Sequence, residues 1–321
     1  MTTQPFKSFI SIVLVVDSHF NASSLPIKIL PIHEEVKRHF SQFEYIIVST
    51  PLYPMDETLI KKLPEDLRMN MFVLNLSSST HYNNMVLAGL DRSNGDYTLL
   101  LESTFWENPD LIPKLYETSQ EGFDMVYLKS KARKLKGSKR LSHRIFYFIL
   151  KKYSNISIDP NAHNSRIISR RALNALLRMR ENVRFMKANF ALVGYESSSI
   201  EVPQEWVKSR EDNVAEQFRT SLIAITSFTT FLRSLMLWIF LLSVLILFAV
   251  VLNAIMVKIW NHDIFGNYHE AVSGWAYLVV ISSTFFAITC LNLYIMSIYL
   301  SNIYNEMKQR PPYIIESIRR Y

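Results

Sequence analysis

Apolar residues in the first 130 positions fall into short runs separated by polar stretches. Residues 9–16 (FISIVLVV), 45–48 (YIIV), 71–74 (MFVL) and 97–101 (YTLLL) are rich in β-branched residues and leucine and apolar on both faces, as buried parallel strands are. Residues 123–128 (FDMVYL) read as a further strand and 200–203 as a short edge strand. Between them apolar positions recur at helical spacing over 30–40, where Ile32, Val36 and Phe40 share a face, and over 58–67 and 81–91. Asn108 and Pro109 read as the N-cap and first position of another helix. Parallel strands need crossovers, and crossover helices bury both faces of the sheet, so residues 1–215 are expected to form a doubly wound, mostly parallel α/β domain.

The pattern changes after residue 215. Hydroxyls are mixed through an apolar, acid-free stretch at 218–232, which predicts a juxtamembrane helix at the interface over 216–233. Residues 235–257 and 274–300 then form two runs long enough to cross a bilayer, with Trp275, Tyr277 and Tyr299 as interface anchors. Residues 234–300 are therefore expected to hold two transmembrane helices and a short external loop, 258–273, with a cytoplasmic tail at 301–321. The loop carries Lys258 against Asp263 and Glu270, while the tail carries Lys308, Arg310, Arg319 and Arg320 against Glu306 and Glu316. That asymmetry places both termini and the α/β domain in the cytoplasm, at the inner (plasma) membrane.

Charge and cysteine content narrow the partners. The chain has 321 residues and a formal net charge of +7, with two membrane runs in the same chain, so an anionic lipid surface or a lipid phosphate is a more economical partner than nucleic acid. Its one cysteine, Cys290, lies in an apolar run and allows neither an internal disulfide nor a cysteine metal site. Basic residues crowd 129–144 (KSKARKLKGSKRLSHR) without an acid, which fits either a solvated mobile loop or a phosphate-binding segment. Residues 146–153 form an amphipathic helix that suits lipid or the domain core equally. Asn253 and Asn292, in different runs, suit a bond across the helix pair or to their own backbones.

Glu102 closes the strand 97–101, and in an open α/β sheet ligands bind at the carboxyl ends of strands. An acid there is the first candidate for chemistry. His19, His81 and His163 lie in separate loops without metal-ligand spacing, and Phe105 and Trp106 suit packing better than sugar stacking.

The order of several motifs resembles the membrane-anchored polyprenyl-phosphate glycosyltransferases of glycosyltransferase family 2. These motifs are Leu87-Ala88-Gly89-Leu90, Gly95-Asp96-Tyr97, 108–113 (NPDLIP), Phe146-Tyr147, 165–171 (SRIISRR), Arg184-Phe185, the two apolar runs and 310–316 (RPPYIIE). The resemblance implies a GT-A-like fold, a nucleotide-sugar donor and a polyprenyl phosphate acceptor. The family's acids are mostly replaced. Its base-binding Asp-Asp falls on Ser49-Thr50, its metal-binding Asp-x-Asp on Glu102-Ser103-Thr104 and its following Gln on Trp106. Its sugar-facing Gly-Asp-Phe falls on His163-Asn164-Ser165, and Asn21 is kept in the first loop.

By that correspondence Glu102 and Asn164 are candidate catalytic residues, and Asn21, Ser49 and Thr50 are candidate nucleotide contacts. Glu102 and Thr104 are a reduced Mg or Mn site whose affinity is expected to be weak or nil, because one carboxylate and one hydroxyl hold a hard cation poorly. Lys139, Arg140 and Arg144 are candidate contacts to the acceptor phosphate. Losing an acid at Asn164 is tolerable, since a phosphate acceptor is already ionised and needs little proton abstraction. Two functions stand: hexose transfer from a nucleotide sugar to polyprenyl phosphate at the cytoplasmic face, or a catalytically inactive relative that partners or regulates a transferase or flippase. Homo-oligomerisation stays open.

Overall fold

The computed structural model describes residues 5–16, 24–55, 57–130, 138–154, 158–179, 186–206, 221, 225, 229–260, 262, 266, 274–307, 311 and 313–321. Eight strands form one sheet: β1 (Phe6–Val15), β2 (Phe40–Ser49), β3 (Met71–Leu76), β4 (Tyr97–Leu101), β5 (Met125–Ser130), β6 (Ala162–Ser169), β7 (Ser197–Val202) and β8 (Ile315–Arg320). Their spatial order is β7-β5-β6-β4-β1-β2-β3-β8. The central run β4-β1-β2-β3 is parallel, whereas β6 runs antiparallel to both β4 and β5 and β8 runs antiparallel to β3. The expected doubly wound α/β class holds, with a mixed sheet.

Alternation along the strands divides the core into two layers. On one face Ile10, Ile12 and Leu14 pack with Leu25, Ile29 and Ile32 of α1 (Leu25–His39) and with Leu111, Ile112 and Leu115. On the other, Val13, Val15, Ile46 and Val48 meet a separate set of helices. Short helices α2 (Glu57–Lys61) and α3 (Glu65–Met69) follow β2, and α4 (Tyr82–Arg92) lies on the second face. There a Cβ on Gly89 would overlap the Val13 side chain, so the close approach of α4 to β1 requires glycine. Then come α5 (Leu111–Gln120) on the first face, α6 (Ser138–Tyr153), and α7 (Arg170–Arg178) and α8 (Met186–Leu192) on the second.

Several boundaries differ from the sequence reading, for physical reasons. Helix α1 starts at Leu25 and runs through Pro31, because its buried face (Leu25, Ile29, Ile32, His33, Val36) is continuous across the proline. The single helix expected over 58–67 is two short ones, parted at Pro64, whose missing N–H cannot continue the first. Asn108 and Pro109 do not start α5. They form a turn whose carbonyls accept from Leu111 and Ile112 at 3.2 and 3.0 Å, and Asp110 takes the N-cap.

Strand β6 was not expected, because its first half, Ala-His-Asn-Ser-Arg, is polar and only Ile167 and Ile168 look like sheet. The basic run is not a loop throughout: residues 138–144 are helical and continue into the amphipathic helix as α6. Within the tail, residues 315–320 form an edge strand of the sheet that was not expected, in register from Phe72↔Arg320 to Leu76↔Ile315.

Two helices, Phe231–Trp260 and Gly274–Met307, follow the domain, and both are long and apolar enough to cross a membrane. They are not core helices. Ser234–Val257 has a mean hydropathy of 3.1 while Leu245, Phe248 and Phe286 are 65, 68 and 71% exposed. Of the expected interfacial helix 216–233, all but 221, 225 and 229–233 lies outside the described residues, and most of the loop 258–273 does as well.

Candidate functional site

The connections reverse direction at β1, which pairs with β2 on one side and β4 on the other, so a crevice opens between the carboxyl ends of β1 and β4. Glu102 stands on its β4 side. The chain leaves β4 through a 3-10 turn, Ser103–Phe105, that drops Phe105 and Trp106 fully into the core; the Trp106 indole N–H donates to the Leu101 carbonyl at 2.9 Å. Both rings are packing that fixes the turn. Asn21 of the loop after β1 lies outside the described residues.

Antiparallel pairing of β6 decides what faces Glu102. Leu100 is opposite Arg166, and the same register carried two residues on sets Glu102 beside Asn164. The Asn164 carboxamide donates to Glu102 Oε1 at 3.0 Å, and the Asn164 and Ser165 main-chain N–H groups donate to Oε2 at 3.1 and 3.4 Å. Ser165 Oγ in turn accepts from the Glu102 N–H at 2.9 Å, and His163 Nδ1 lies 4.0 Å from Oε2. The two candidate catalytic residues are thus in direct contact, and their contact is a clasp between strand ends.

Beneath the clasp lies Arg166, a residue of the 165–171 motif that is not among the candidate site residues. The residue is 4% exposed, and its guanidinium donates to the His163 and Asn164 carbonyls at 2.8 and 3.1 Å and stacks 3.6 Å from the Phe190 ring centre. Burial pulls it down from the ordinary arginine value to about 9, and the charge of Glu102, followed by Tyr127, works against that shift. The sequence carried no signal for it, because the residues just before it in β6 are polar.

The other candidate residues are dispersed. Ser49 and Thr50 end β2, two strands from β4 and so roughly 10 Å across the sheet. Ser49 Oγ donates to Asn75 Oδ1 at 2.6 Å, and the Asn75 amide donates to Ser317 Oγ of β8 at 3.0 Å, so the tail strand is tied to this corner of the crevice. Arg144 is exposed on α6; Lys139 and Arg140 lie in the same helix, their side chains outside the description.

Glu102 and Thr104 do not make a complete cation site on the chemistry of their donors. Both Glu102 oxygens already accept N–H groups, and among the described residues no group of three or more His, Cys, Asp or Glu side chains is placed to hold a metal. A cavity of about 380 Å³ opens at the opposite edge of the sheet, beside Asp96, Tyr97, Asp124 and Arg171, a strand length from Glu102. It is not part of the crevice.

No protein-family model matches the chain. The chain is similar to a "Prophage bactoprenol glucosyl transferase homolog" of Escherichia coli, 28% identical over 316 residues that cover 97% of this chain and 99% of that protein. It is also similar to the "Bactoprenol glucosyl transferase" of Shigella phage SfX, at 27% identity covering 96% and 99%, and to an "Uncharacterized glycosyltransferase" of Synechocystis, at 26% identity covering 77% and 76%. Among solved structures, glucosyl-3-phosphoglycerate synthase of Mycobacterium tuberculosis aligns at a TM-score of 0.43 and 13% identity over 68% of this chain and 78% of that one. Homologues named bactoprenol glucosyl transferase therefore extend along nearly the whole chain, and one named a glycosyltransferase along 77% of it.

Proposed function

We propose that this chain is a polyprenyl-phosphate hexosyltransferase of the cytoplasmic membrane face, taking the sugar from a nucleotide sugar. One structural observation carries the reading beyond the names of its relatives: the crevice edge of the sheet is the edge from which the chain reaches its apolar helices. The second long helix ends at Met307, and β8 starts at Ile315 opposite Leu76, the carboxyl end of β3. On the other flank the Tyr153 carbonyl at the end of α6 accepts from the Thr230 N–H at 3.1 Å, and Tyr153 meets the Phe231 ring at 5.1 Å. A crevice on that edge suits a donor arriving from water and an acceptor phosphate held at the lipid surface.

The transfer would join an acceptor phosphate oxygen to the anomeric carbon as the bond to the donor's diphosphate breaks, with the leaving nucleoside diphosphate taking the electron pair. The acceptor needs no base. Pairing of β8 with β3 puts the tail on the same side as the domain, which suits two crossings and cytoplasmic termini. In this reading Ser49 and Thr50, with Asn21, face the nucleotide, and Lys139, Arg140 and Arg144 face the acceptor phosphate.

A second reading is favoured by the clasp at Glu102, because a carboxylate bound to the backbone of β6 suits a structural role: an inactive relative that partners a transferase or flippase. The test is transfer of labelled glucose from UDP-glucose to undecaprenyl phosphate by the purified full chain, alongside calorimetric titration with UDP. Transfer supports the first reading. Neither transfer nor UDP binding leaves the second.

A further inference from the structure

Among its described side chains, helix α6 buries only Ile149 and Leu150. Ile149 and Leu150 are 8 and 1% exposed, whereas every residue from 141 to 145 is exposed. Among the exposed positions Leu141, Ile145 and Phe148 are 61, 49 and 59% exposed, a concentration of apolar surface that a water-facing helix does not need. At about 100° per residue these three and Lys152 fall within an arc of about 60°, with Arg144 and Lys151 along one margin, the buried Ile149 along the other and the buried Leu150 on the opposite face. The Lys152 ammonium lies 5.7 Å from the Phe148 ring centre, so its stem runs along the apolar stripe while its charge sits at the rim. The far end of the helix abuts the base of the first long helix through Tyr153, Thr230 and Phe231.

We propose that this face of α6 is a membrane-contact surface, with Leu141, Ile145 and Phe148 in the headgroup and upper acyl region and Arg144, Lys151 and Lys152 against anionic lipid phosphates. Continuity with the first long helix decides the occupant: an exposed apolar face joined to the end of a membrane-crossing helix meets lipid before it meets any soluble partner. Basic residues along its margin complement an anionic leaflet. The inference rests on the reading that the two long helices cross the bilayer.

It is tested with the full chain in liposomes of phosphatidylethanolamine and phosphatidylglycerol, using single nitroxide labels in a Cys290→Ser background. Labels replace Leu141, Ile145 and Phe148 one at a time, with Phe248 of the first long helix and Glu117 of α5 as lipid and water references. Collision with oxygen relative to a water-soluble nickel chelate should be several-fold higher at the three α6 positions than at Glu117, and should fall in vesicles of phosphatidylcholine alone. Three independent labels keep one misfolded variant from deciding the matter. A Phe248 label in lipid with α6 labels that meet the chelate like Glu117 would overturn the proposal and leave the crossings intact. A Phe248 label open to the chelate would sink the crossings themselves, and the α6 proposal with them. Dipolar broadening at α6, removed by dilution with unlabelled protein, would assign the face to a second copy and overturn the lipid assignment, and equal depth in both lipids would overturn its charge component.

Discussion

The Asn164 carboxamide donates to Glu102 Oε1 at 3.0 Å while the main-chain N–H of the same residue donates to Oε2 at 3.1 Å, across a sequence separation of 62. Both oxygens thus hold the start of β6, which makes Glu102 the staple between the ends of two neighbouring strands and the point on which the two functional readings divide.

Removing the staple should be costly in proportion to what is removed. Glu102→Gln keeps the shape and one acceptor oxygen but turns its NH2 against an N–H donor and loses the charge that faces Arg166, and should cost about 2 kcal/mol; Glu102→Ala strands several donors and should cost about 3 kcal/mol. Thermal or denaturant unfolding in detergent reads both. Equal stability of all three proteins would show that the clasp does not hold the strand ends together.

Asn164→Asp would set a second carboxylate within hydrogen-bonding distance of the first. Two such groups repel, share a proton or recruit a cation. The unfolding midpoint of this variant should rise on adding Mn²⁺, and more so when Thr104→Asp is combined with it, while the wild type should be unaffected. A wild type that gains as much as the variant would overturn the conclusion that Glu102 and Thr104 are an incomplete donor set.

Much of this fold was legible because its parallel strands are buried on both faces. Residues 97–101 match β4 residue for residue, and β1, β2 and β3 lie around their expected cores. Strands β6 and β8 were not legible: IESIRR shows little of the apolar pattern of a strand, and its place is set by the open edge of β3. The candidate site divides the same way. Glu102 was reached from its place at the end of a strand and Asn164 through the resemblance, and they do meet, but the reason they meet is the antiparallel register of β6. The Arg166 charge and the Ser49–Asn75–Ser317 chain depend on pairings between segments far apart in sequence, which no local pattern carries.

At the other end of the domain, Asp66 accepts from Lys37 at 2.6 Å and lies 3.2 Å from Nε2 of the buried His33. Hydrogen bonds from Lys37 and then His33 hold its carboxyl well below its ordinary value of 3.8. A carboxylate depressed in the folded state contributes stability that is present above its unfolded value and lost as pH falls below it. Acid unfolding should therefore steepen below about pH 4 in the wild type, and Asp66→Asn should flatten that limb by lowering stability on the neutral side, the two proteins converging in acid. Its exposure keeps the effect small. Parallel acid limbs in the two proteins would exclude Asp66 as a source of acid lability.

The tail offers the test that joins fold to function. Strand β8 covers the edge of β3, Tyr313 donates to Asp91 at 2.8 Å, and Ser317 holds Asn75, which holds Ser49 at the corner proposed for the nucleotide. Ser317→Ala removes one acceptor from a half-buried amide and should cost about 1 kcal/mol, whereas deleting residues 315–321 bares a row of β3 backbone groups and should promote aggregation. If Ser49 faces the nucleotide, freeing Asn75 should disturb donor binding and not the chemical step. Ser317→Ala should then raise the KM for the nucleotide sugar with kcat held, and Ser317→Thr, which keeps the hydroxyl, should restore it. A KM unchanged by Ser317→Ala, with the expected loss of stability, would confine the tail to covering the sheet edge and remove Ser49 from the nucleotide site.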